Sequence, residues 1–69
     1  MREWLIAART QKKLTMKQMG EKLNVSERYY SMIEGRTRQK KMDISIVAKL
    51  SDALNIPIEE IIRREQQDR

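Results

Sequence analysis

Apolar residues recur about every three to four positions along nearly the whole chain, and no stretch alternates as a half-buried strand must. That spacing restricts the fold to helices. With 69 residues the chain makes one small domain, and folding at this size hides only about 60% of the surface that the unfolded chain exposes. There is no cysteine to form a staple and no histidine to anchor a metal, so stability has to come from close helix packing or from a partner. No metal or cofactor is expected. The longest apolar run, Trp4 to Ala8, is far too short to cross a bilayer, and nothing resembles a signal peptide. The expectation is a cytoplasmic protein with no membrane association.

Five helices are predicted, giving an all-α five-helix bundle. The first, Arg2–Lys12, is expected to bury Met1, Leu5 and Ala8 and to end near Lys13, where basic side chains suit the negative end of the helix dipole. Thr15, followed three places on by Gln18, reads as a capping box that opens a second helix running to about Leu23. Met19 and Leu23 form its buried edge. Ser26 caps a third helix that reaches about Glu34, and Gly35 is expected to end it in the left-handed conformation. The short connection between these helices implies a sharp crossing, with Gly20 leaving room for the bulky Tyr30 opposite. After a loop, Asp43 caps a fourth helix with an apolar stripe of Ile44, Val47, Leu50 and Leu54, and Asn55 serves as its closing turn residue. Pro57 opens the fifth, with Ile58, Ile61 and Ile62 towards the core. Residues 1–64 read as the domain, and 65–69 as a C-terminal tail that frays for want of an apolar anchor.

The formal charge is +5 and the sequence pI is about 9.9, which points to a polyanionic partner. The excess is uneven. Residues 1–41 carry a net +7, whereas residues 42–69 carry −2. Arg36, Arg38, Lys40 and Lys41 crowd the loop directly after the third helix. That helix carries two adjacent tyrosines, Tyr29 and Tyr30.

The run TMKQMGEKLNVSERYYSMIEG, followed by VAKLSDALNIPIEEII, resembles the helix-turn-helix domain of the lambdoid phage repressors and Cro proteins and of the xenobiotic-response-element family of bacterial regulators. The likeness covers about Leu5 to Ile62. It implies a lambda repressor-like DNA-binding domain whose third helix enters the major groove, where residues near the helix N-terminus come closest to base edges. On that resemblance Glu27, Arg28, Tyr29 and Met32 are the base-reading candidates. Arginine suits guanine and glutamate the cytosine amino group, while Met32 offers apolar contact to a thymine methyl. Thr15, Lys17, Ser31, Arg36, Arg38, Lys40 and Lys41 are the phosphate-contact candidates, supplying affinity without sequence information. Arg9 and Glu34 fall where the family often joins its first and third helices by an ion pair, which fixes orientation more than it adds stability.

The pattern departs from the family at two places. Met16 stands where a backbone-binding glutamine is usual, and the loop between Glu34 and Asp43 is longer by about two residues. An enzyme is not indicated, because no nucleophile has a histidine base and no glycine-rich loop can cradle phosphate. The leading reading is a sequence-specific transcriptional regulator of the repressor kind, binding double-stranded DNA as a homodimer on paired half-sites. The rival is a protein-interaction module such as an antitoxin, using an apolar patch of Trp4, Ile6 and Ile46.

Overall fold

Three short polar side chains start three of the helices. Gln18 N donates to Thr15 Oγ1 at 3.1 Å while Thr15 N donates to Gln18 Oε1 at 2.8 Å, a reciprocal capping box. Tyr29 N donates to Ser26 Oγ at 3.0 Å, and Ile46 N to Asp43 Oδ1 at 2.9 Å. Each such cap contributes about 1 kcal/mol. The computed structural model describes residues 1–68, in which the helices are α1 (Glu3–Gln11), α2 (Met16–Leu23), α3 (Glu27–Glu34), α4 (Ile44–Leu54) and α5 (Ile58–Gln67). The described residues form no strand.

The core is built from every helix: Leu5 and Ala8 of α1, Met19 and Leu23 of α2, Tyr30 and Ile33 of α3, four residues of α4 and Ile61 of α5. The main packing partners are α2 with α3, α2 with α4, α4 with α5 and α1 with α3. Thus α3 is held from behind by two helices. Asn24 and Asn55 end α2 and α4 in the left-handed region, at φ 59° and 56°, as suits a residue whose short polar side chain tolerates that conformation.

Several sequence expectations are corrected. Met1 is 67% exposed, and Arg2 is the buried residue instead, because its backbone N–H bonds Glu34 O at 2.7 Å and turns the preceding residue outwards. The α4 stripe is Ile46, Val47, Leu50 and Leu54, so Ile46 belongs to the core and not to a surface patch, while Ile44 is 75% exposed. On α5 only Ile61 is buried, with Ile58 and Ile62 left substantially exposed. Gly35 has an ordinary helical φ of −82°, and the left-handed residue is Arg36, at φ 64°. Gly20 faces the turn into α3 and not Tyr30, as its closest neighbours are backbone atoms of Val25, Ser26 and Glu27. Helix α5 runs to Gln67, and its Glu65 accepts hydrogen bonds from Arg2 and Trp4. Arg69 lies outside the described residues.

Candidate nucleic-acid interface

The turn between α2 and α3 is as tight as backbone allows. A Cβ on Gly20 would lie 2.9 Å from Val25 O and 3.2 Å from Glu27 N, so the first peptide units of α3 rest directly on α2. That contact sets the angle at which α3 leaves the bundle. Glu27 and Arg28, the first two residues of α3, are exposed, and Glu27 suits the positive end of the helix dipole. At eight residues α3 is about 12 Å long, comparable with the width of the DNA major groove.

Behind the exposed tip, a charged cluster fixes α3 to α1. Arg9 Nε donates to Glu34 Oε2 at 2.7 Å, and the same oxygen accepts from the Tyr30 hydroxyl at 2.6 Å. Arg9 Nη1 also donates to Leu14 O at 2.9 Å, which ties the α1–α2 connection to the cluster. Glu34 is 1% exposed and its Oε1 has no hydrogen-bond partner among the described residues. An imperfectly solvated carboxylate of this kind favours one arrangement of helices more than it adds net stability. The Arg9 guanidinium is pushed above its ordinary pKa mainly by the Glu34 hydrogen bond. Burial first, then the bond to Glu34, raises the Tyr30 hydroxyl far above the usual phenol value. Tyr30 is wholly inside, as is its partner Glu34.

Tyr29 is half-buried, and its hydroxyl accepts from Gln39 Nε2 at 2.9 Å. Gln39 Oε1 in turn accepts from Asp43 N at 3.1 Å, so one side chain links α3, the basic loop and the start of α4. Met32 is partly exposed, and its carbonyl accepts from Thr37 N at 3.0 Å and Arg38 N at 3.2 Å. These bonds lay the loop along the Tyr29–Met32 side of α3. Arg38, Lys40 and Lys41 are exposed there, as are Ser31 on α3 and Thr15 and Lys17 at the start of α2.

Arg36 departs from this set. Its Nη2 lies 3.6 Å from Glu65 Oε2 and 3.4 Å from Asp68 Oδ2, so its charge is shared with α5 carboxylates. Its backbone is left-handed, at φ 64°, and these ion pairs compete with the phosphate contact expected of it. Met16 packs partly against the core, consistent with an apolar residue replacing a glutamine that would face a backbone phosphate. Sequence reasoning also missed Arg2, Trp4 and Glu65. Arg2 is fully buried, its Nε donates to Glu65 Oε1 and Oε2 at 3.0 and 2.9 Å, and Trp4 Nε1 donates to Glu65 Oε1 at 2.9 Å. No local signal pointed to the pair, because Arg2 and Glu65 lie 63 positions apart in the chain.

Two helices meeting at a glycine-tight turn, the second with a polar tip facing solvent beside a basic loop, define a DNA-binding helix-turn-helix protein. A family model described as Helix-turn-helix matches residues 5–61, and the chain belongs to that family, the one of the lambdoid repressors and Cro proteins. It is accordingly a DNA-binding transcriptional regulator. No curated protein and no solved structure matches the chain. Among the described residues no helix is long and apolar enough to cross a membrane.

Proposed function

We propose that the protein is a sequence-specific repressor that reads the major groove with α3 and grips the flanking phosphates with the loop after it. The observation that carries this reading is the exposure of Glu27 and Arg28 at the free tip of α3, backed by the anchored Arg9–Glu34–Tyr30 cluster. Arg28 donates to guanine, Glu27 accepts from cytosine, Met32 touches a thymine methyl, and Tyr29 lies alongside. Arg38, Lys40, Lys41, Lys17, Thr15 and Ser31 contact phosphates and set the register without reading sequence. Repression follows from occupancy, because a protein seated in the groove across a promoter excludes the polymerase. Cytoplasmic residence goes with such a role.

A homodimer is part of the reading, since paired half-sites one DNA turn apart need two reading helices. Ile58 and Ile62, one turn apart on α5 and 38% and 45% exposed, are the candidate contacts. The half-buried Trp4 surface is a further candidate contact. The alternative, an antitoxin-like interaction module, is favoured by one observation, the loss of a phosphate-binding side chain at Met16.

The test compares two alanine variants on a panel of single-base operator changes. Arg28→Ala relaxes preference at one base pair by about 1–3 kcal/mol, whereas Lys40→Ala weakens all sequences alike and lowers the salt slope by about 1. Identical behaviour of the two variants refutes the assignment of α3 to readout.

A further inference from the structure

Arg2 is the largest fully buried side chain of the domain, and its guanidinium is surrounded by oxygen. Nε donates to both Glu65 oxygens, at 3.0 and 2.9 Å, and Nη1 donates to Ile33 O at 2.5 Å. Nη2 donates to Gln39 O, with longer approaches from the two terminal nitrogens to Arg38 O at 3.5 Å and Lys40 O at 3.4 Å. A guanidinium has five N–H donors and no acceptor, and here it is matched on every side by carbonyl or carboxylate. The backbone N–H of Arg2 also caps α3, donating to Glu34 O at 2.7 Å. The cation therefore sits at the negative end of the α3 dipole, which favours it further.

Three consecutive carbonyls of the basic loop, those of Arg38, Gln39 and Lys40, thus converge on one interior cation. The loop has no helical hydrogen bonding of its own, and Gln39 is held at a left-handed φ of 55°. With its carbonyls drawn inwards, the segment leaves the Arg38 and Lys40 side chains on the outside, where both are exposed. Glu65 holds the other edge of the guanidinium, so the C-terminal turn of α5 fixes the same loop from behind. Trp4 orients Glu65 by a third hydrogen bond.

We propose that Arg2, locked by Glu65, is a positioning residue for DNA binding: it touches no nucleic acid and holds residues 38–41 so that Arg38, Lys40 and Lys41 reach phosphate together. This rests on the reading of that loop as a phosphate clamp. It also gives the molecule a mechanical link, in which a change at the end of α5 is felt at the clamp.

The experiment measures binding of a short fluorescent duplex of arbitrary sequence by anisotropy over a salt series, well below the unfolding temperature. Variants are Glu65→Ala, Glu65→Gln, Arg2→Lys, the triple Arg38→Ala/Lys40→Ala/Lys41→Ala, and the triple combined with Glu65→Ala. Trypsin cleavage after Arg38, Lys40 and Lys41 and the emission of Trp4 report the loop and the Glu65 contact directly. The triple variant is expected to lower the salt slope by about 3, one unit per phosphate lost. Glu65→Ala and Arg2→Lys lower it by about 1–2 with helicity retained, and trypsin then cuts the loop faster. Glu65→Gln, which still accepts from Arg2, falls between Glu65→Ala and the wild type, and Glu65→Ala adds nothing to the triple. If the triple loses slope while Glu65→Ala and Arg2→Lys keep the wild-type slope and loop protection, Arg2 is structural only and the proposal is overturned. If the triple itself keeps the wild-type slope, the clamp reading fails and takes this proposal with it. Glu65 is partly exposed on α5, so its variants stay informative even should Arg2→Lys fail to fold.

Discussion

Replacing Gly20 by alanine sets two effects of opposite sign against each other. In a helix interior alanine is favoured over glycine by about 0.8–1.0 kcal/mol, so propensity alone makes Gly20→Ala stabilising. The structure adds a contact that propensity ignores. The new methyl would stand 2.9 Å from Val25 O, 3.2 Å from Glu27 N and 3.2 Å from Ser26 C. All three are backbone atoms of the turn, so no flexible side chain can swing aside. Overpacking of that kind costs about 1–3 kcal/mol. The net expectation is a loss of about 1 kcal/mol, which for a domain of this size lowers Tm by about 4–8 °C. Relief of the contact also pushes the first turn of α3 away from α2, so selectivity for the operator falls along with stability. Gly35→Ala is the internal control. There the nearest atoms are 3.5 and 3.9 Å away and φ is −82°, so the methyl meets only ordinary contact. That variant gains about 0.4–1 kcal/mol by restricting the unfolded chain. Thermal and urea unfolding of the two variants side by side should give opposite signs. A rise in Tm for Gly20→Ala to match Gly35→Ala refutes the claim that the turn is packed against the α2 backbone.

Three further outcomes follow from the buried charges. Arg9→Ala strands the Glu34 carboxylate in the core and should cost about 3 kcal/mol or more in urea unfolding, and a loss below about 1 kcal/mol contradicts the cluster as described. Burial raises the Glu65 pKa, but hydrogen bonds from Arg2 and Trp4 and the charges of Arg2 and Arg36 outweigh it and hold the group below the ordinary 4.5. A depressed carboxylate contributes stability above its unfolded pKa and loses it as pH falls through the folded one, so acid destabilisation below 4.5 should be shallower in Glu65→Gln than in the wild type. Tyr30 has the opposite sign: its raised pKa contributes stability below the unfolded value of 10.0, and that contribution is lost as pH climbs. In a Tyr29→Phe variant the phenolate absorbance of Tyr30 should appear only with unfolding, and titration in the folded protein counts against its burial beside Glu34.

What could be read from the sequence divides along physical lines. Thr15, Ser26 and Asp43 were legible as caps because a cap and its N–H partner lie within one turn, and no tertiary knowledge is needed. The inward phase of α4 was read one turn-face off, with Ile44 in the stripe and Ile46 in a surface patch, and it is the packing of α2 and α5 against α4 that puts Ile46 inside and Ile44 out. At the end of α3 the expectation fell on Gly35 because glycine takes positive φ most easily, yet the chain puts Arg36 there, with Glu65 and Asp68 beside its guanidinium. Arg2 and Glu65 were not legible at all. They are 63 positions apart, and an arginine near a chain start reads as solvated until a carboxylate and a row of loop carbonyls are found around it. For the same reason the contacts that Glu65 makes with Arg2 and Trp4 do not show in the sequence of the α5 end.

Selection of bound DNA from a random-sequence pool, at one low and one moderate salt concentration, tests the central claim most directly. The account predicts enrichment of a two-fold related site with half-sites about one helical turn apart at moderate salt, and broad sequence-independent retention at low salt. Recovery of no enriched sequence, with no retention of duplex even at low salt, contradicts it.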